Sequence, residues 1–406
     1  MKLTIDRLGH LGDGIGAGPT FVRRALPGEE VEGDVTDGRM DAPRILTPSP
    51  ARRGAPCPHY DACGGCSLMH ATDAFVADWK AGVVRTALSA QGLAAPIRTV
   101  ETSPERSRRR ATLAARRTKK GVIVGFHGRA SGTLVDVQEC LLLHPALLAA
   151  LPALRQVAGA GGSRKGELAL TLTLTDGGVD LAVTGGKPMD ATLFAALAAL
   201  AEGADLARLG WDGEPVVTRR PASQHFGQAR VVPPAASFLQ ATREGEAALL
   251  AAVRGSVGDA RRIADLFSGA GTFSLPLAAT AEVHAVEADA AMLDALAHGA
   301  RQAAGLRRVT TEARDLFRRP LLPDELARYD AIVLDPPRAG AEAQAVEIGR
   351  SAVPRLAYVS CNPVTFARDA KILTDAGLVL GWLDVVDQFR WSPHVELAAC
   401  FTRAGR

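Results

Sequence analysis

Two stretches, Ala331-Ile-Val-Leu-Asp335-Pro336-Pro337-Arg338-Ala-Gly340 and Tyr358-Val-Ser360-Cys361-Asn362-Pro363, share one design. Each is an apolar run that ends abruptly in polar, proline-bearing residues. A continuous apolar run of this length reads as a parallel strand buried on both faces. In open α/β sheets ligands bind at the carboxyl edge. Asp335 at one strand tip and Cys361 at a neighbouring tip would then face a single crevice.

The same rhythm extends on both sides. From about residue 236, strands are expected at 262–267, 282–286, 309–313, 329–334, 355–359, 378–385 and 395–402, with helices between most of them. That is an α/β, doubly wound, Rossmann-like arrangement of seven strands over 236–406. Residues 51–235 read as a central α+β region, with hairpins at 111–127 and 167–183 and Ala/Leu-rich helices at 146–158 and 190–201. Residues 1–50 hold short alternating runs (Leu3–Ile5, Thr20–Val22, Val31–Val35) broken by glycine turns such as Gly12–Gly16, the pattern of a small OB-like β-barrel. Pro43, Pro48 and Pro50 read as a linker.

With 406 residues the chain is too long for a single core. The start, Met1 to His10, has no apolar signal segment, and the apolar stretch Cys140–Leu154 is too broken to span a bilayer. A cytosolic protein is expected, with no membrane partner. In that compartment six cysteines point to metal or catalysis rather than disulfides. The net charge of +3 hides a basic stretch, Arg98–Lys120, where nine Lys/Arg face two Glu, a net +7. Such a concentration is the footprint of a nucleic-acid partner, although a solvated charged face has the same composition.

Cys57, Cys63 and Cys66, spaced x5 and x2 with Gly64-Gly65 between, can wrap one metal centre. Two completions are open. Remote Cys140 would give an iron–sulfur site; His59 or His70 would give structural zinc.

In the C-terminal region, Asp265-Leu-Phe267-Ser268-Gly269-Ala-Gly271 is a strand entering a Gly-x-Gly turn, where a cofactor can approach the backbone. The third glycine of the dinucleotide fingerprint is missing. Glu287, at the end of the second strand, can accept bonds from ribose hydroxyls, and Asp315 beyond the third can meet an adenine amino group. A nucleoside without pyrophosphate fits better than NAD, and S-adenosylmethionine is one. Asp335-Pro-Pro-Arg would form a rigid rim. Cys361, before the helix that starts at Pro363, would be a nucleophile with its pKa lowered by the helix N-terminus. A thiolate that adds to pyrimidine carbon-6 makes carbon-5 nucleophilic, and a base in His394-Val-Glu396 could then remove the carbon-5 proton. Cys400, inside an apolar run, reads as core.

Together these motifs resemble the class I S-adenosylmethionine-dependent RNA 5-methyluridine methyltransferases, and among them the iron–sulfur-containing bacterial 23S rRNA (uracil-5-)-methyltransferases. The resemblance implies Cys361 as nucleophile and Glu396 as base. It implies cofactor contacts from Gln240, Phe267, Glu287, Asp315 and Asp335. It implies a 4Fe–4S cluster on Cys57, Cys63, Cys66 and Cys140, and an RNA-binding barrel at the N-terminus. RNA is the implied partner, with 23S rRNA the expected target, and the enzyme is expected to act as a monomer. The sequence departs from the family at Thr242 and Thr272, where asparagine is common, at Ser268, where cysteine is, and throughout Asp387–His394. Three alternatives stay open: a tRNA uridine-5 methyltransferase, a non-catalytic RNA-binding iron–sulfur protein, and an exocyclic-amine methyltransferase, which needs no cysteine.

Overall fold

A computed structural model describes residues 1–403. The C-terminal sheet has eight strands in the order Val309–Ala313, Glu282–Glu287, Arg262–Leu266, Ala331–Leu334, Arg355–Ser360, Glu396–Arg403, Leu378–Asp387, Ile97–Thr102. The first five are mutually parallel. Glu396–Arg403 runs antiparallel to both of its neighbours. Ala331–Leu334 is buried along its whole length, as its composition requires. Helices cover both faces; Pro363–Asp375 buries Phe366, Ala367, Ala370 and Leu373 on one of them.

The eighth strand corrects the expectation of seven. Ile97–Thr102 pairs in parallel with Leu378–Asp387. It overlaps the start of the stretch read as a basic patch, where the sequence Ile-Arg-Thr-Val-Glu-Thr carries no long apolar run. The helix Asp73–Ser89 packs beside Pro363–Asp375 and sends Val84 and Leu88 into the same core. Residues 73–102, expected in the central region, thus complete the C-terminal layer.

The central sheet has seven strands: Leu134–Asp136, Gly121–His127, Arg110–Thr118, Leu168–Thr175, Gly178–Thr184, Arg208–Trp211 and Glu214–Thr218. Every pairing is antiparallel except Gly178–Thr184 with Arg208–Trp211. The helices Leu151–Gly161 and Ala191–Gly203 lie over it.

Residues 2–47 form a six-stranded sheet in the order Arg39–Met40, Thr20–Val22, Gly14–Gly16, Lys2–Leu8, Glu30–Glu32, Arg44–Thr47. Gly14–Gly16, expected as a turn, is an inner strand. A Cβ at Gly16 would come within 2.5 Å of Leu3 Cδ1 and 2.8 Å of the Thr4 carbonyl, so the glycine permits close strand approach rather than a bend. Arg44–Thr47, expected in the linker, is an edge strand, and the two end strands share no ladder among the described residues. No helix among those residues is long and apolar enough to cross a membrane.

Candidate functional site

The carboxyl edge of the eight-stranded sheet opens into a cavity of about 1100 Å³, walled on its far side by the cysteine loop and the central sheet. Phe267, Glu287, Asp315, Asp335, Cys361 and Glu396 all line it, as do Cys57, Cys63, Cys66 and Cys140. Gln240 does not. It is buried, and its Oε1 accepts a 2.6 Å hydrogen bond from Gln388 Nε2.

Topology explains the convergence. Parallel strands deliver Phe267, Glu287, Asp335 and Cys361 from their carboxyl ends. Glu396 reaches the same edge because its strand is antiparallel and begins there, opposite Val386 and next to the Leu397–Ser360 pair. Phe267 adopts φ +61°, a conformation costly for a bulky residue and typical of functional turns. Gly271, at φ +98°, lies where a Cβ would stand 2.9 Å from both Leu275 and Leu296 side chains. Glu287 Oε1 accepts from the Ala288 and Asp289 amides, and Oε2 from Gly269. Asp315 caps its own turn through the Phe317 amide at 3.0 Å. Asn362 locks the Cys361 turn: its Oδ1 accepts from Val364 N, and its Nδ2 donates to the Arg338 carbonyl at 2.9 Å.

The electrostatics are those of a buried acidic floor. Burial pushes Asp265 and Glu396 up to about 7. Asp335 is raised well above the carboxylate range by burial, then by the charges of Glu396 and Asp265. Among the described residues, Asp265 Oδ1 has no hydrogen-bond partner. A floor of this kind favours a cationic ligand, because positive charge restores the ionised carboxylates. Here the structure corrects a sequence expectation. The Cys361 thiol is not depressed by its helix; burial, Glu396 and Asp335 push it up to about 11, with Arg338 opposing. The partners that decide its state come from other strands.

The four cavity cysteines are all half-buried. Burial raises Cys63, Cys66 and Cys140, and each also feels the charge of neighbouring thiols in the set. Of the alternative ligands, His59 Nε2 accepts from the Gln138 amide at 3.4 Å. His70 is buried off the cavity with Nδ1 on Tyr60 Oη at 2.6 Å. Among the described residues, no three or more His, Cys, Asp or Glu side chains stand close enough together to hold a single ion.

Part of the basic stretch is spent on the fold. Arg98 binds Asp384 and covers the Trp382 ring. Arg109 is 2% exposed and holds Glu246 and the Gln240 carbonyl. Arg110 holds the Ala236 and Ser237 carbonyls, and Arg116 holds Glu167. Arg106, Lys119 and Lys120 remain exposed. Arg108 lines the cavity, close enough to Cys66 and Cys140 to feel their charge. Sequence reasoning passed over Gln388; its one signal was that it sits in the divergent run Asp387–His394.

Comparison with known proteins identifies the family. Residues 235–404 match the family model described as tRNA (Uracil-5-)-methyltransferase. An uncharacterised RNA methyltransferase of Caulobacter vibrioides is 44% identical, over 99% of both chains. A second, of Brucella suis, is 42% identical over 99% of this chain and 98% of that one. The 23S rRNA (uracil(1939)-C(5))-methyltransferase of Halomonas elongata is 35% identical over 97% of this chain and 88% of that protein. Among solved structures, the Pyrococcus abyssi tRNA (uracil-54, C5)-methyltransferase in complex with S-adenosyl-L-homocysteine superposes with a TM-score of 0.76. It covers 99% of both chains at 21% identity, a likeness of fold.

Proposed function

Because this chain belongs to the RNA (uracil-5-)-methyltransferase family, we propose that it methylates carbon-5 of a uridine in 23S rRNA, with S-adenosylmethionine as methyl donor. The observation that carries this reading is the meeting of Cys361, Asp335 and Glu396 at three strand ends on one cavity wall, where the thiol feels both carboxylates. A thiol beside a base is what carbon-5 chemistry needs and exocyclic-amine methylation does not.

Cys361, once ionised, adds to carbon-6 of a uracil turned out of its stack, and carbon-5 becomes nucleophilic. S-adenosylmethionine, when bound, supplies an electrophilic methyl group. Phe267, Glu287, Asp315 and Asp335 would hold it, with Gln240 behind that wall. Its fit rests on the acidic floor, which complements a sulfonium, and on the Gly-x-Gly turn. Glu396 then takes the carbon-5 proton, the carbon-5–carbon-6 double bond re-forms, and the sulfur leaves.

Cys57, Cys63, Cys66 and Cys140 would hold a 4Fe–4S cluster, which would tie the loop to the central sheet covalently. All four thiols line one cavity, and Cys63, Cys66 and Cys140 each feel the charge of other thiols in the set, which supports this reading. The N-terminal sheet would serve as the RNA-binding barrel. Whole-chain similarity to the Halomonas 23S rRNA enzyme supports rRNA over tRNA.

Incubation with 5-fluorouridine RNA and S-adenosylmethionine tests the chemistry. Wild-type protein should form a covalent complex and Cys361→Ala none; an undiminished adduct would refute the assignment. Loss of one 5-methyluridine from 23S rRNA in a deletion strain tests the target.

A further inference from the structure

We propose that Gln388 is a positioning residue that holds the Glu396 carboxylate in line with carbon-5 and keeps it able to accept a proton. This deepens the reading above and rests on Glu396 being the base. Gln388 directly follows the strand neighbouring that of Glu396 and is 3% exposed. It does not line the cavity, whereas Glu396 does, so it can reach the reaction only through that carboxylate.

Its amide is fully committed. Oε1 accepts the Ala241 backbone amide at 2.7 Å. That contact fixes which way the amide faces, because only the oxygen can accept from an N–H. Nε2 must then point the other way, where it donates to Gln240 Oε1 at 2.6 Å and to Glu396 Oε2. Room for this comes from Gly245, where a Cβ would stand 2.7 Å from Gln388 Cβ. One carboxylate oxygen is therefore pinned from behind, and the other is left for the cavity.

The surroundings make this donor matter. Asp335 from one strand and the Cys361 thiol from another lie within reach of the Glu396 charge, as does Asp265 of Asp335. Arg338 acts on Cys361 and His394, and Lys80 is already paired with Asp387. Against burial, the Gln388 amide hydrogen-bonds Glu396 in its ionised form. In the release step the carboxylate takes the carbon-5 proton, the C–H electron pair becomes the carbon-5–carbon-6 bond, and the carbon-6–sulfur pair departs on Cys361 as thiolate. A protonated Glu396 cannot begin it.

The test is the pH dependence of release of methylated RNA from the covalent intermediate, measured after a single turnover. Gln388→Met keeps the volume and removes the donor; Gln388→Glu keeps the shape and replaces the donor with an acid. In both, release near neutral pH should slow by about tenfold or more, the worth of a hydrogen bond to a charged group. The profile should shift upward, so that raising the pH by roughly two units restores the rate. Glu396→Gln, run in parallel, should stay trapped at every pH. If Glu396→Gln releases freely, the base assignment falls. If it traps while both Gln388 variants keep the wild-type profile, or slow equally at all pH values, Gln388 has no such role.

Discussion

Lys80 and Asp387, 307 residues apart in sequence, form an ion pair wholly withdrawn from water, Nζ 2.5 Å from Oδ1. Lys80 also donates to the Phe389 carbonyl, and Asp387 Oδ2 has no partner among the described residues. The pair fastens the helix after the cysteine loop to the segment that carries Gln388 and leads to Glu396. Burial drives each partner toward neutrality, and each one's charge opposes this. Lys80→Met should leave an uncompensated carboxylate and cost about 3–5 kcal/mol of unfolding free energy. Adding Asp387→Leu should recover most of that loss. Urea denaturation of the two variants decides it; a Lys80→Met cost no larger than that of a surface lysine would show that the pair holds nothing together.

The raised Cys361 thiol has a kinetic consequence. With a pKa pushed up to about 11, the resting protein carries little thiolate at neutral pH. Its alkylation by iodoacetamide should be far slower than that of free cysteine at about pH 8. A cationic sulfonium beside Asp335 should favour the anion, and the neutral sulfur of S-adenosylhomocysteine should not. Mass spectrometry of the Cys361 peptide should therefore show faster alkylation with a cationic cofactor analogue such as sinefungin than with S-adenosylhomocysteine. Equal rates would mean that the acidic floor does not govern the thiol.

What could be read in advance was local. Ala331–Leu334 and the run before Cys361 are apolar enough to belong only in a buried parallel strand, and their polar tips name the crevice. What could not be read depends on residues brought from elsewhere. Ile97–Thr102 is a strand because Leu378–Asp387 offers an edge. Arg109 is structural because Glu246 meets it. Cys361 precedes a helix-start signal that is present, with Asn362 as its cap, yet burial and two carboxylates from other strands outweigh that local effect. Gln388 has no motif of its own, and only the fold sets it behind Glu396.

Glu396 should leave a pH signature in stability. Its folded pKa, about 7, lies above the ordinary 4.5. Below about 4.5 the folded and unfolded chains both hold this proton; between the two values only the folded chain does. Stability therefore falls as pH rises through that window and stays lower above it. Glu396→Gln removes this contribution. We expect its thermal midpoint to exceed the wild-type value at about pH 8 and to match it at about pH 4. Asp335 and Asp265 shift in the same direction, so a reduced slope should persist in the variant. A variant less stable at the higher pH would contradict the buried-acid account.

The cysteine set makes the last expectation. Cys140 faces the cavity with Cys57, Cys63 and Cys66; His59 lines it too, but its Nε2 is engaged by the Gln138 amide, and His70 lies off the cavity against Tyr60. Replacing Cys140 with serine should abolish bound iron and the broad visible absorption of anaerobically purified protein, as should any of the other three replacements. His59→Ala and His70→Ala should keep both. Zinc on three thiols and a histidine predicts the reverse: a colourless protein that loses its metal with a histidine and keeps it without Cys140. Metal loss should also be felt beyond the loop. The Ser67 and Leu68 amides both donate to the Trp391 carbonyl, and Trp391, fully buried at φ +59°, lies between Gln388 and Glu396 in sequence. Hydrogen exchange in the metal-free protein should thus quicken across residues 57–70 and 388–394 together. Exchange that quickens in the loop alone would separate the metal from the base-bearing segment.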